Sequence, residues 1–360
     1  MKIKFIKRIF FGCLIFGLIY FALSSLYSEK EISLNNQEKK ESFNNSEINL
    51  FFVGDIMLGR GVEYMISKKG EGDFRFPFLK IADELKESDL LFGNLEGPIS
   101  DKGVKVGSIY SFRFNPKAIE GLIYAGFDIL SLANNHMFDY QRIALEDTMN
   151  ILKENNINYV GSGFDIEEAF SLKIRQVKDT KIGFLGYINL GPENWRARET
   201  SSGLAWIDQD SMDMVKEHIK ESKQDVDILI VSLHAGEEYA ENPTSFQISF
   251  AQDCINSGAD LVVQHHSHVV QAIERYNDGW VAYSLGNFIF DQHFSKETMG
   301  SIILKVVIDQ KKIKKVYSEN IRINQYFQPE LIIENLKKHI LKCFFLLSQT
   351  KIIFLLILPF

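Results

Sequence analysis

Residues 261–271 read LVVQHHSHVVQ, a short apolar run that stops abruptly at three histidines within four positions. The β-branched run predicts a buried strand, and its end predicts a strand tip bearing imidazoles. His266 and His268 stand in an H-x-H spacing. Two residues apart on an extended chain, their side chains point to the same side and converge on one ion or on two adjacent ions. A lone histidine on an apolar face is usually a core residue with a local partner. Three at one strand end point to a metal site.

The same arrangement recurs along the chain. Residues 50–53 (LFFV) end in Gly54-Asp55, and residues 89–92 (DLLF) run into Gly93-Asn94-Leu95-Glu96. Residues 128–132 (DILSL) run into Ala133-Asn134-Asn135-His136. Residues 227–233 (DILIVSL) end at His234, followed by Ala-Gly-Glu-Glu, and residues 281–285 (VAYSL) end at Gly286-Asn287. Taken singly, Asp55 reads as a turn or helix cap, Glu96 as a loop acid, and His234 as a core histidine. Asn134, Asn135 and Asn287 read as turn formers, because short amide side chains bond to nearby backbone. Together, at successive strand ends, they describe a site, since strand–helix sheets gather their functional groups beyond the strand tips. Carboxylate, amide and imidazole donors suit Mn, Fe or Zn better than a soft thiolate site would.

The segments FVGDIMLGRGV (52–62), GNLEGPIS (93–100), SLANNHMFDY (131–140), SLHAGEEY (232–239), VVQHHSHVVQ (262–271) and YSLGNFIFDQ (283–292) resemble, in order, those of the CapA family. That family is associated with capsule and poly-γ-glutamate synthesis, and its fold is similar to that of calcineurin-like metallophosphoesterases. The resemblance covers roughly residues 48–324 and implies an α/β fold, a four-layer α-β-β-α sandwich of two mixed sheets. It places Asp55, Glu96, Asn135, His234, His266 and His268 on metal-ligand positions and His136 on a histidine that assists chemistry. Asn94, Asn134, Asp139, His265 and Asn287 are possible additional site residues. The implied activity is metal-dependent hydrolysis with one or two divalent ions. Glu96 would bridge them, Asp55 would hold the first, Asn135 and His234 the second, and His136 would act on the leaving group. The alternative is a non-enzymatic scaffold or export subunit of a polymer-synthesis complex. Two features depart from the pattern. Met57 stands where the wider superfamily has imidazole in D-x-H, and is either a weak thioether donor or an apolar packing residue. The last motif reads QHHSH in place of GHHPH, which leaves His265 either a ligand or a core residue.

Strand-like runs near 50–53, 89–92, 128–132, 157–160, 182–188, 227–233, 261–264, 280–285, 301–308 and 315–323 alternate with helical patterns near 78–87, 116–125, 142–154, 212–223 and 246–257. The last two runs flank Gln310-Lys311-Lys312 and read as a hairpin. Loops 98–112 and 190–205, the latter with Trp195, Arg196 and Arg198, are long enough to shape a cleft.

At 360 residues and 46% apolar content the chain has the make-up of a globular protein. Its net charge of −7, without a Lys/Arg stripe, gives no case for nucleic acid. The expected substrate is an anionic polymer or a phosphoester, for which Lys102, Lys105 and Arg113 offer local positive charge. Residues 1–8 carry Lys2, Lys4, Lys7 and Arg8, and residues 9–27 contain no charge. That pattern predicts a transmembrane signal-anchor with a cytoplasmic N-terminus and an extracellular catalytic domain. Residues 28–47 read as a flexible polar tether, residues 48–324 as the CapA-like domain, and residues 325–360 as a helix with an apolar tail. Partners implied are the membrane and other membrane subunits of a polymer-synthesis complex. Cys13, Cys254 and Cys343 are too scattered to form a disulfide framework.

Overall fold

The computed structural model describes residues 47–332. The anchor expected over 9–27, the tether up to residue 46 and the tail from residue 333 lie outside those residues. No helix among the described residues is long and apolar enough to cross a membrane.

Strands β1 (Ile48–Ile56), β2 (Leu90–Leu95), β3 (Ile129–Ser131) and β4 (Asn158–Val160) lie side by side and parallel. A small ribbon, β5 (Ser162–Gly163), and the strands β6 (Lys173–Val177) and β7 (Thr180–Ile188) follow. Then come β8 (Gly203–Leu204), which pairs with β5, and β9 (Ile228–His234), β10 (Leu261–His265), β11 (Ile273–Tyr276) and β12 (Gly279–Ala282). The chain closes with β13 (Asn287–Ile289), β14 (Gly300–Asp309), β15 (Lys312–Ile323) and β16 (Pro329–Leu331). The first sheet runs β16-β15-β14-β1-β2-β3-β4, with β13 paired to the end of β1. The second runs β11-β12-β10-β9-β7-β6. Both are mixed: β14 lies antiparallel to β1, and β6 and β11 lie antiparallel at the edges of the second sheet.

Side-chain alternation stacks the layers. Ile48, Leu50 and Phe52 of β1 and Leu90 and Phe92 of β2 share a core with Phe184, Ile230, Leu261 and Val263 of the other sheet. The intervening residues Phe51, Val53 and Leu91 turn to the opposite face. There they pack with α1 (Arg60–Lys69), α2 (Ala82–Leu85), α3 (Ala118–Ala125) and α4 (Gln141–Glu154) through Val62, Ile66, Leu85, Leu122 and Leu145. After the short α5 (Ile166–Ala169), α6 (Met212–Gln224) and α7 (Ser245–Asn256) cover the second sheet through Val215, Ile219, Phe250 and Cys254. Helices therefore flank two facing sheets. Strands buried on both faces carry apolar side chains in succession, which is why LFFV and DILIVSL read as unbroken runs. Thr244 and Gln247 start α7 with a reciprocal capping box.

Several elements depart from expectation. The helix expected near 78–87 is a 3₁₀ turn at Phe76–Phe78 followed by the four-residue α2. Helix α1 left little trace in the sequence, since only Val62 and Ile66 are buried on it. The expected strand 280–285 is split. β12 stops at Ala282, and the chain crosses to the first sheet as β13 through Gly286, whose φ is +74°. The hairpin before β15 turns on Gln310 and Lys311, both with positive φ, the type I′ geometry that matches strand twist.

The crossing fixes the strand tips. A side chain added at Gly54 would place its Cβ 1.8 Å from the Gly286 carbonyl oxygen, and Asp55 N donates to that oxygen at 3.1 Å. Gly54→Ala is expected to lower unfolding free energy by about 3 kcal/mol or more through backbone displacement. A urea midpoint equal to that of the parent chain would contradict this.

Candidate metal centre

The first motif delivers Asp55 at the end of β1, fully buried and in register with Asn94 on one side and Asn287 on the other. The Asn94 amide acts as a hub. Its Nδ2 donates to Asp55 Oδ1 at 2.8 Å and to Glu96 Oε2 at 3.2 Å, and lies 3.4 Å from His234 Nδ1. Asn134 in turn holds Asn94, donating to its Oδ1 at 3.2 Å and to the Leu95 carbonyl at 2.8 Å. His234 Nε2 meets Asn135 Oδ1 at 2.8 Å.

From the second sheet, His265 Nδ1 approaches Asp55 Oδ1 at 3.5 Å, and His268 Nδ1 approaches Asp55 Oδ2 at 3.2 Å. His268 also contacts Asn287 Oδ1 at 3.0 Å and reaches within 3.7 Å of Glu96 Oε1. The His266 ring lies 4.9 Å from that of His234 and 5.9 Å from that of His268. His136 completes the group, with Nδ1 2.7 Å from Asp139 Oδ2 and Nε2 3.8 Å from Glu96 Oε1. The twelve residues given metal-ligand, assisting or additional site positions thus join one contiguous network.

The route to convergence differs from the expected one. β10 ends at His265, and His266 and His268 adopt positive φ of 108° and 59°. Their common direction comes from a left-handed turn, where an extended strand had been expected. Left-handed backbone at non-glycine residues costs of order 1–3 kcal/mol each and gathers at functional sites. His265 lies at the site, against Asp55, with its ring 6.4 Å from that of Phe92. Met57 packs in the apolar core, and its sulfur accepts the Gly59 N–H at 3.2 Å. Lys102 is committed to Asp147, while Arg113 lies over the Tyr140 ring and donates to loop carbonyls. Trp195 stacks on Phe138, bringing loop 190–205 beside the segment that carries His136.

The donor set fits a cation. Asp55 Oδ2, Glu96 Oε1, both His265 ring nitrogens and His266 Nδ1 are buried without a hydrogen-bond partner. Among the described residues, Asp55, Glu96 and His268 bring ligand atoms within 4.8 Å of one another, as do Glu238, His266 and His268. Burial and the neighbouring Asp55 charge push the Glu96 carboxyl well above its ordinary range. Burial also raises the Asp55 carboxyl, but its contacts with His265 and His268 outweigh that and hold it well below the usual value. Burial lowers His234, helped by His266, and takes His266 down to about 3. Neutral imidazoles beside crowded carboxyl groups are donors awaiting positive charge. Glu238 was not singled out in the sequence. The Glu-Glu pair after His234 was visible, but the turn through Gly236 (φ +107°) and Tyr239 (φ +64°) decides that Glu238 joins the histidines.

The model of the family described as "Bacterial capsule synthesis protein PGA_cap" matches residues 49–292. The chain belongs to this family. It is 29% identical over 270 residues to the capsule biosynthesis protein CapA of Bacillus anthracis, covering 72% of this chain and 64% of that protein. It is 30% identical over 268 residues to the PGA biosynthesis protein CapA of Bacillus subtilis, covering 74% of this chain and 69% of that one. A crystal structure described as a novel phosphatase from Mycoplasma pneumoniae is similar with a TM-score of 0.46 and 15% identity, covering 77% of this chain and 94% of that chain. The match to the capsule-synthesis family contains all twelve residues of the network.

Replacing His266 and His268 together by Ala is expected to abolish tight binding of divalent transition metal. The left-handed turn and the folded domain should survive. Elemental analysis after dialysis checks this, and undiminished metal content in a folded double variant would reject the donor assignment.

Proposed function

We propose that this member of the capsule-synthesis family is a metal-dependent hydrolase, held at the outer face of the cell membrane and acting on an anionic polymer or a phosphoester. One observation carries the reading: Asp55 Oδ2 and Glu96 Oε1 are buried without a hydrogen-bond partner, as are both ring nitrogens of His265 and Nδ1 of His266, and His268 brings a ring nitrogen within 4.8 Å of both carboxylates. One or two divalent ions of the Mn, Fe or Zn kind fit that donor set. When bound, such an ion polarises a phosphoryl or carbonyl oxygen and makes water nucleophilic near neutral pH.

The chain's own residues orient the rest. Asn94 donates to Asp55 Oδ1 and Glu96 Oε2, which leaves Oδ2 and Oε1 available to a cation. Asp55 and Glu96 would hold the first ion with His268. Asn135 and His234 would serve a second, with Glu96 available to both, and His266 would complete the set. Asp139 accepts from His136 Nδ1 and so presents Nε2 toward Glu96 as the atom that hands a proton to the leaving group. Phe112 stacks on the His136 ring at 3.9 Å, fixing its plane and keeping water from that face. The membrane assignment rests on the uncharged stretch 9–27 behind its basic tip.

A scaffold within a polymer-synthesis complex is the second reading. Met57 favours it, because its core position gives the first motif no imidazole donor.

Glu96→Gln is expected to cut hydrolysis of a phosphoester or a γ-linked glutamate polymer by on the order of a hundredfold or more. Glu237→Gln should leave it near the parent rate. Equal turnover in Glu96→Gln and parent would exclude the hydrolase reading and leave the scaffold.

Protease added to intact cells should release a fragment that begins within residues 28–49. Protection until the cells are lysed would contradict the outward orientation.

A further inference from the structure

The Gly59-Arg60-Gly61 step puts a bulky cation where the backbone suits glycine. Arg60 has φ of +51°, in the left-handed region. The neighbours cannot relieve it. A Cβ at Gly59 would lie 2.9 Å from the Arg113 carbonyl oxygen, and one at Gly61 would lie 2.9 Å from the Asp291 side chain. That second close approach lets Asp291 serve both residues: Oδ2 accepts the Gly61 N–H at 3.0 Å and Oδ1 pairs with an Arg60 terminal nitrogen at 3.1 Å.

The guanidinium sits over the Phe112 ring, 5.2 Å from its centroid, and His136 stacks on the same ring at 3.9 Å. Phe112 also meets Phe290 edge-on, and Phe290 packs on His268. A cation is therefore held one aromatic ring away from the catalytic histidine. Its single ion pair uses one terminal nitrogen, and the Arg60 side chain remains 38% exposed. Guanidinium carries five N–H donors in a planar fork that matches two oxygens of one anion. An ordinary surface ion pair gives no reason to keep arginine at a strained position, since such pairs contribute little. Strain that persists beside a site marks a position selected for something other than stability.

We infer that Arg60 is the anion-reading residue of this site: it takes a carboxylate or phosphate group of the substrate, next to the bond acted on beside His136. The inference deepens the proposed hydrolase reading and supplies its specificity for anionic substrates. Arg60 acts by positioning, and Asp291 and Phe112 aim it.

The test measures binding to the full-length, metal-loaded chain. The probes are a short γ-linked glutamate oligomer, a γ-linked glutamine oligomer of equal length, and inorganic phosphate. The parent should prefer glutamate to glutamine, or bind phosphate, and Arg60→Gly should weaken the preferred anion about tenfold or more. Loss toward the oligomer alone assigns a carboxylate, and loss toward phosphate alone assigns a phosphoryl group. Arg60→Lys should recover only a fraction, because ammonium lacks the fork. Arg60→Gly should melt at an equal or higher temperature, because glycine adopts positive φ freely. A lower melting temperature with unchanged anion affinity would make Arg60 structural and overturn the inference, as would a parent that binds none of the anions better than the glutamine oligomer. Neither result bears on the Glu96→Gln test. Arg60-dependent anion binding in a chain whose turnover ignores Glu96 would keep this inference and remove the hydrolase.

Discussion

Everything at this site hangs on a contact between two backbones that only glycine permits. Gly54 and Gly286 approach so closely that the Asp55 amide reaches the Gly286 carbonyl, and no Cβ fits at Gly54. The crossing occurs where the chain leaves the second sheet after β12 and joins the first as β13. It puts Asn287 beside Asp55 and draws the histidine turn after β10 over the tip of β1. Without it the sheets would still pack through Phe52, Phe92 and Phe184, which a good interior requires. The donors from the two sheets would then end in separate places.

The site so built is expensive for the apo chain. Removing an ionised carboxylate from water costs several kcal/mol even after relaxation. Asp55 and Glu96 are both fully buried, and each leaves an oxygen unpaired. His266 and His268 add left-handed backbone strain. Asn94 offsets part of this by donating to both carboxylates, and Asn134 holds Asn94 by donating to its Oδ1, but amides carry no charge. A cation does, and a ligand at a thousand times its dissociation constant stabilises the folded state by about 4 kcal/mol. Strain and desolvation of this size at one spot fit a chain whose folded form includes metal.

Around that centre the aromatic residues act as positioning walls. Phe112 stacks on His136 and also supports the Arg60 guanidinium, while Phe290 packs on His268. Their residues lie in loop 98–112 and just after β13, so the cleft is shaped by segments whose sequence carries no periodicity. Lys102 pairs with Asp147 on α4, and Arg113, just after the loop, lies over Tyr140 and donates to the Lys102 carbonyl. The guanidinium over Phe112, which His136 also stacks on, belongs to Arg60, at the start of a helix the sequence hardly announces.

Sequence alone located the doubly buried strands β1, β2, β3, β7, β9 and β10, because such strands must be continuously apolar and their tips polar, but not the half-exposed edge strands β6 and β11. It also marked Asp55, Glu96, His136, His234 and the histidine triplet, since such residues are rarely found at the ends of buried runs without a task. Tertiary structure decided the rest. Whether Met57 faces metal or core depends on packing against residues far along the chain, and it packs in the core. The histidines converge through positive φ at His266 and His268, a backbone state that side-chain identity does not specify. Glu238 joins His266 and His268 only because a turn rotates it there, and Arg60 reaches His136 only through Phe112. Local sequence encodes burial and periodicity. Contacts between residues over a hundred positions apart exist only once the two sheets have closed on each other.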